Sequence, residues 1–343
     1  MTTLAPAPAP AVRPVPWTRL AWVVWRRYRA TLLAILGVLA VLGVDLVLTG
    51  QRARSAYATA AACTPPGSAS CRFEWQNFQD SYAQIGLVGV ILVFLPGVVG
   101  VFAGAPVLAR ELETGTFRYT WTQGVGRMRW AVAVLVPGAL GVAVIVGAFG
   151  LLVSWHNQPL IDSGIVQRLH TTVFPVTGIA GAGWALAGFG LGVLAGMLCR
   201  RVLPALVTAF GAWFGLAYLA SQVRAHYLAA LTTTSLNLSP TDLPLDQWWT
   251  KGGDRISDTQ INSVLHTIGV QMDGSGKVFA AAPGAGDSVD PNQYLLGHGY
   301  QPVTSYQPDS RFWTFQWIEF GCLTALTLLA LGTTLWLLRR RPA

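Results

Sequence analysis

Apolar residues fall into six long runs, at positions 30–49, 85–109, 130–155, 173–199, 202–222 and 312–338. Crossing the hydrocarbon core of a bilayer takes about 20 apolar residues in a helix, so each run predicts a transmembrane helix. The first is interrupted only by Asp45 near its end. The second carries Pro96 and Pro106 but no charge, the third is also uncharged, and the last contains Glu319 alone. Ahead of the first run, Trp17, Leu20, Ala21, Val24, Trp25 and Tyr28 recur at helical spacing behind Pro16, with Arg19 and Arg26 on the opposite side. That pattern predicts an N-terminal interfacial helix over 15–29, lying on the inner leaflet. The alternative is an early start to span one with a basic flank. Residues 1–14 form an Ala/Pro tail expected to be disordered.

Between the runs the pattern changes. In the loop at 50–83, Cys63 and Cys71 flank Thr64-Pro65-Pro66-Gly67, a candidate disulfide across a turn if the segment faces an oxidising compartment. The connection at 156–172 is short. The segment 223–311 is long enough for a small structured cap. Within it, Ser257 and Gln260 form a capping-box pattern with Asp258 in the first turn. Ile261, Val264, Leu265 and Ile268 then predict an amphipathic helix closed by Gly269. Tyr294, Tyr300 and Tyr306 stand among glycines and prolines and predict irregular structure.

Composition sharpens this picture. Only 11% of the 343 residues are charged, against about 25% in soluble domains. Mean hydropathy is +0.47. A soluble enzyme and a disordered chain are both disfavoured. The net charge of +8 is almost all arginine, the lysines being Lys251 and Lys277. Arg13, Arg19, Arg26, Arg27 and Arg29 precede span one. Arg110, Arg118, Arg127 and Arg129 lie between spans two and three, Arg200 and Arg201 between four and five, and Arg339, Arg340 and Arg341 after six. The positive-inside rule then places both termini in the cytoplasm. Arg52 and Arg54 run against that trend. The basic charge is thus topological, and a nucleic-acid partner loses its support. A cleavable signal peptide is the lesser alternative for the first run, because its basic lead and apolar length exceed the usual pattern. The fold class expected is an all-α membrane protein with six transmembrane helices, N-in/C-in, and a large extracytoplasmic loop between spans five and six.

Candidate chemistry is sparse. Asp45 and Glu319 are intramembrane carboxylates and so candidates for a substrate path or gating, though both fall in the outer halves of their spans. Gly188, Gly192 and Gly196 recur every four residues and predict close helix packing. Gly100 with Gly104, and Gly211 with Gly215, have the same spacing, but glycine is common in membrane helices. His156, His170, His226, His266 and His298 all lie in outer segments without zinc-site spacing, and Cys199 and Cys322 read as inert. No metal site and no catalytic residue is expected. Neither lysine stands in a phosphate-binding Gly-x4-Gly-Lys-Ser/Thr loop, so no ATP site is expected on this chain.

The most distinctive segment is 110–129, between spans two and three. It begins Arg110-Glu111-Leu112-Glu113-Thr114-Gly115-Thr116-Phe117-Arg118 and ends near Gly126-Arg127. Glu111 and Glu113 are the acidic residues among cytoplasmic arginines, where topology alone asks for none. The run Arg110, Glu111, Glu113, Gly115, Arg118, with Arg127 leading into span three, resembles the coupling segment of ABC-2 type exporter permeases. The closing stretch Tyr306-Gln307-Pro308, Arg311-Phe312-Trp313 and Gln316-Trp317-Ile318-Glu319 resembles actinobacterial members. The order of features, from the interfacial helix to the large last outer loop, resembles the family over nearly the whole chain. The resemblance implies a permease in the plasma membrane, surrounded by lipid and paired with a second copy of itself. It also implies two copies of a separate ATPase subunit that hold the ATP and Mg and push on Arg110–Arg127, including Thr114, Thr116 and Phe117. An intraloop ion pair of Glu111 or Glu113 with Arg110 or Arg118 is the competing reading. A multi-pass enzyme working through the outer loop, and a non-transporting scaffold or sensor, are the rival functions.

Overall fold

The computed structural model describes residues 16–65, 67–83, 85–115, 126–267, 270–272, 278–280 and 291–340. They form two compact units, one of Met1–Pro159, Phe174–Leu219 and Gln316–Ala343, the other of Leu160–Val173 and Ala220–Phe315. Helices dominate: α1 Trp17–Ala61, α2 Ala69–Ala83, α3 Ile85–Thr114, α4 Arg127–Asp162, α5 Ala180–Cys199, α6 Val202–Val223, α7 Asp258–His266, α8 Pro291–Gly297 and α9 Phe312–Arg340. Among the described residues, six helices are long and apolar enough to cross a membrane, namely α1, α3, α4, α5, α6 and α9.

Helix α1 is unbroken from Trp17 to Ala61, so no turn separates an interfacial helix at 15–29 from the first span. No proline interrupts those 45 residues, and a helix in hydrocarbon has strong reason to keep every internal hydrogen bond. The segment read as a loop at 50–83 is also largely helical. Its turn is closed by the Cys63–Cys71 disulfide, with a Cα–Cα distance of 5.5 Å. Tyr57 of α1 meets Trp75 and Phe78 of α2 at ring-centroid distances of 5.9 and 5.7 Å.

The tightest packing in the first unit joins α3 to α5. A Cβ added at Gly192 would approach the backbone N of Ala105 to 2.7 Å, and one at Gly196 would approach the Ala105 carbonyl oxygen to 2.7 Å. A Cβ at Gly188 would stand 3.2 Å from the Gly97 carbonyl oxygen. The facing glycines of α3, Gly100 and Gly104, are crowded in turn by the backbone of Ala185 and Phe189. Small residues let two backbones touch where side chains would hold them apart. Gly211 and Gly215 of α6 face open space.

Helices α1 and α4 run side by side in the same direction. Arg129 at the start of α4 stacks on Trp17 at 4.7 Å, a Cβ at Gly43 would touch Leu152 at 3.3 Å, and His156 Nδ1 bonds the Leu46 carbonyl oxygen at 2.9 Å. Leu39, Leu46, Phe149 and Val153 fill the seam.

Helix α5 starts at Ala180, later than its apolar run suggests. A 3-10 turn at Phe174–Val176 and Gly178 in the left-handed region, at φ +61°, set the chain into the helix instead. At its other end Arg200 adopts φ +55°, and its N–H donates to the Gly196 carbonyl at 3.1 Å. That is a left-handed cap, and α6 begins two residues later.

The second unit corrects the all-α expectation. Strands β1 Leu231–Thr233, β2 Leu243–Lys251, β3 Asp254–Ile256 and β6 Tyr300–Gln307 make an antiparallel sheet in the order β1-β6-β2-β3. Strands β4 Val270–Met272 and β5 Val278–Ala280 form a separate pair. Tyr300 and Tyr306, expected in irregular structure, lie in β6, with Tyr300 opposite Lys251 and Tyr306 opposite Pro244. Pro302 is opposite Trp249 at a position that β1, paired only with Thr304–Tyr306, does not reach, so β6 has an open edge there, where a proline is tolerated. Trp249, Ile261, Leu265 and Leu295 form the core of the unit. Helix α7 is capped by Ser257, whose Oγ accepts from Gln260 N–H while the Gln260 side chain accepts from Ser257 N–H.

Candidate functional site

Two regions of the first unit gather polar chemistry in otherwise apolar surroundings. One is the C-terminal end of α3. There Thr114 Oγ1 donates to the Arg110 carbonyl at 2.8 Å, and Gly115 at φ +70° ends the helix as a left-handed residue. The two glutamates are not equivalent. Glu111 is only 2% exposed. It shares the end of α3 with Leu108 and Leu112, which pack against Trp130 and the rest of the core. Glu113 is exposed, and its Oε2 accepts the backbone N–H of Val202 at 3.0 Å. Val202 opens α6. A helix N-terminus leaves its first N–H groups without intrahelical partners and carries a partial positive charge, so a carboxylate satisfies both needs at once. Arg110 is exposed, and Arg127 is the first residue of α4. Thr116, Phe117 and Arg118 lie outside the described residues.

The second region is a buried polar junction among α5, α6 and α9. Glu319, 2% exposed, accepts from Trp184 Nε1–H at 2.6 Å. Trp213 Nε1–H donates to the Trp184 carbonyl at 3.1 Å, and the two indoles meet edge to face at 5.5 Å. One turn earlier on α9, fully buried Gln316 accepts the Ala180 N–H at 2.6 Å through Oε1 and donates to the Phe174 carbonyl at 3.2 Å through Nε2. Gln316 thereby caps the start of α5. Gly178 leaves room for it, since a Cβ there would come within 2.8 Å of Gln316 Oε1. Glu319 is thus held in a helix junction. Asp45, the other intramembrane carboxylate, lies on the exposed face of α1, and the structure does not bring the two together.

The sequence pattern alone gives Gln316, Trp184 and His156 no structural role. The signal for Gln316 was present: it stands three residues before Glu319 in an aromatic run, so the two share one helix face. His156, expected in the outer segment 156–172, instead belongs to α4, which continues to Asp162 and buries it, 3% exposed, against Leu46. Beside it Arg54 lies over the Trp155 ring at 4.1 Å and donates to the Trp155 carbonyl.

The fold and these sites define a multi-pass helical membrane protein whose membrane spans hold a few buried polar links. A family described as ABC-2 membrane transporter related matches residues 36–224, more than half of the chain. The chain belongs to that family. No curated protein and no solved structure matches it.

Proposed function

We propose that this chain is the permease subunit of an ABC exporter, moving a substrate across the cytoplasmic membrane under the drive of a separate ATPase. The observation that carries the reading is the membership of residues 36–224 in the ABC-2 related family, joined to the mixed-charge end of α3. In this reading both termini face the cytoplasm, by the distribution of arginines. Two copies of the chain pair, and two ATPase subunits bearing ATP and Mg press on the segment 110–129.

The geometry at Glu113 supports a route for that push. A displacement of the coupling segment reaches α6 through the Glu113–Val202 bond and α5 through the glycine seam of α3. Rigid helices shifted at one end and packed along their length are the usual material of two-state transport changes.

The test is co-expression of the full chain with the ABC ATPases of its own genome, followed by co-purification and ATP hydrolysis in reconstituted bilayers. Stable capture of one ATPase, with hydrolysis altered by the chain, supports the reading. Failure of every ATPase to bind overturns it.

A further inference from the structure

The first unit contains a cavity of about 380 Å³, within the range of roughly 300–1,000 Å³ typical of small-molecule sites. It opens between α1, α3, α4 and α5, and Trp25, Leu36, Val107, Gly141, Ile145 and Phe189 are among its walls. Its lining is almost wholly apolar; Tyr28 and Thr31 supply side-chain hydroxyls on the α1 wall. Helix α1 enters its candidate membrane span at Tyr28, so the cavity begins at one end of the span and runs inward to the level of Leu36 and Ile145.

Arginines continue the cavity-lining faces at that same end. On α1, Arg29 is four residues after Trp25 and seven before Leu36, on the helical stripe that lines the cavity, and it is exposed. On α3, exposed Arg110 is three residues past Val107 and seven past Ala103. On α4, Arg127 is seven residues before Val134. The stacking of Arg129 on Trp17 brings the start of α4 beside the start of α1. An apolar slot in a membrane span, rimmed by guanidinium groups at one end, matches one kind of molecule by shape and charge. That molecule is a phospholipid with an anionic head. Arginine forks bind phosphate oxygens in paired hydrogen bonds, and basic pockets between membrane helices hold anionic headgroups.

We infer that this groove is an acyl-chain site for an anionic bilayer phospholipid, with its phosphate held at the Arg29, Arg110 and Arg127 rim. The inference needs the six helices to lie in a membrane but does not need the transport reading. Gly141 provides a clean handle, because a Cβ added there meets nothing within 4 Å. Gly141→Leu therefore adds bulk to a cavity wall from a position whose Cβ displaces no neighbour.

The experiment places the full chain in nanodiscs containing either phosphatidylglycerol or phosphatidylcholine with a photoactivatable diazirine on one acyl chain, then maps the labelled peptides. The expected result is labelling concentrated on the cavity-lining stretches of α1 and α4, about tenfold stronger from phosphatidylglycerol, equivalent to about 1.4 kcal/mol. Gly141→Leu, eluting as the parent does, lowers that labelling about tenfold, again about 1.4 kcal/mol. Arg29→Gln removes much of the preference for phosphatidylglycerol while leaving the labelled positions unchanged. Equal labelling by both lipids overturns the assignment, as does labelling indifferent to Gly141→Leu. So does exclusion of both lipids, which would mean that protein covers the groove.

Discussion

Trp184 Nε1 and Glu319 Oε1 lie 2.6 Å apart in the buried junction of the first unit. A carboxylate in an apolar span is expensive unless its oxygens have donors. The indole provides one and so fixes α9 to α5. Removing one partner of a buried hydrogen bond costs about 1–3 kcal/mol, whereas a substitution that keeps an acceptor costs less. Trp184→Phe should therefore lower the unfolding temperature in detergent clearly more than Glu319→Gln, measured by intrinsic fluorescence or differential scanning. Equal, negligible shifts for both would show that the bond adds nothing.

At Glu113 two roles can be separated. Glu113→Gln keeps an acceptor for Val202 N–H but removes the charge at the α6 N-terminus, a loss of about 0.3–1 kcal/mol at an exposed site. Glu113→Ala removes the bond as well and should cost about 1 kcal/mol. If docking to an ATPase also uses this carboxylate, Glu113→Arg should abolish co-purification while membrane insertion stays normal. Normal capture of the ATPase by Glu113→Arg would leave Glu113 with the capping role alone.

The glycine seam predicts a graded response. Gly192→Ala should destabilise by about 1–3 kcal/mol, because its methyl group meets the Ala105 backbone. Gly192→Leu should yield little folded protein in fluorescence-detected size exclusion. Gly211→Ala is the control: its Cβ meets open space, and the better helix former gains up to about 1 kcal/mol.

The disulfide makes a chemical prediction. With Cys199 and Cys322 free, denatured protein should take up two maleimides before reduction and four after, read by mass. Cys63→Ser should loosen the α1–α2 turn by about 2–3 kcal/mol, given the short loop that the bond closes. Limited proteolysis near residue 65 should report that loosening. Four labels without reductant would sink the pairing.

The membrane helices could be read from sequence because hydrocarbon leaves the backbone few choices: an apolar run of that length satisfies its own N–H and C=O groups as a helix. The capping box at Ser257 and Gln260 was legible for a related reason, being local. The sheet was hidden. Strand β6 pairs with β2 some fifty residues away, and the nearby glycines and prolines suggest turns when that partner is out of sight. The seam was half visible. The ladder Gly188, Gly192, Gly196 stood out, while Gly100 and Gly104 looked no different from Gly211 and Gly215; a spacing of four says which glycines share a face but not what that face meets. At the candidate site, the two glutamates of Arg110-Glu111-Leu112-Glu113 looked alike, and only the course of α3 buries one and presents the other to Val202.

The seam between α3 and α5 also has a mechanical meaning. Where backbone rests on backbone there is no compliant layer of side chains to absorb strain, so the two helices act as one stiff strut. A load applied at Gly115 should arrive near Trp184 undamped, and any flexing must be taken up by other contacts in the protein. Spin labels on the exposed Phe102 and Leu198 should hold a single separation in the reconstituted chain and, under the proposed function, with and without ATP once an ATPase is bound; a second distance would show that the strut bends.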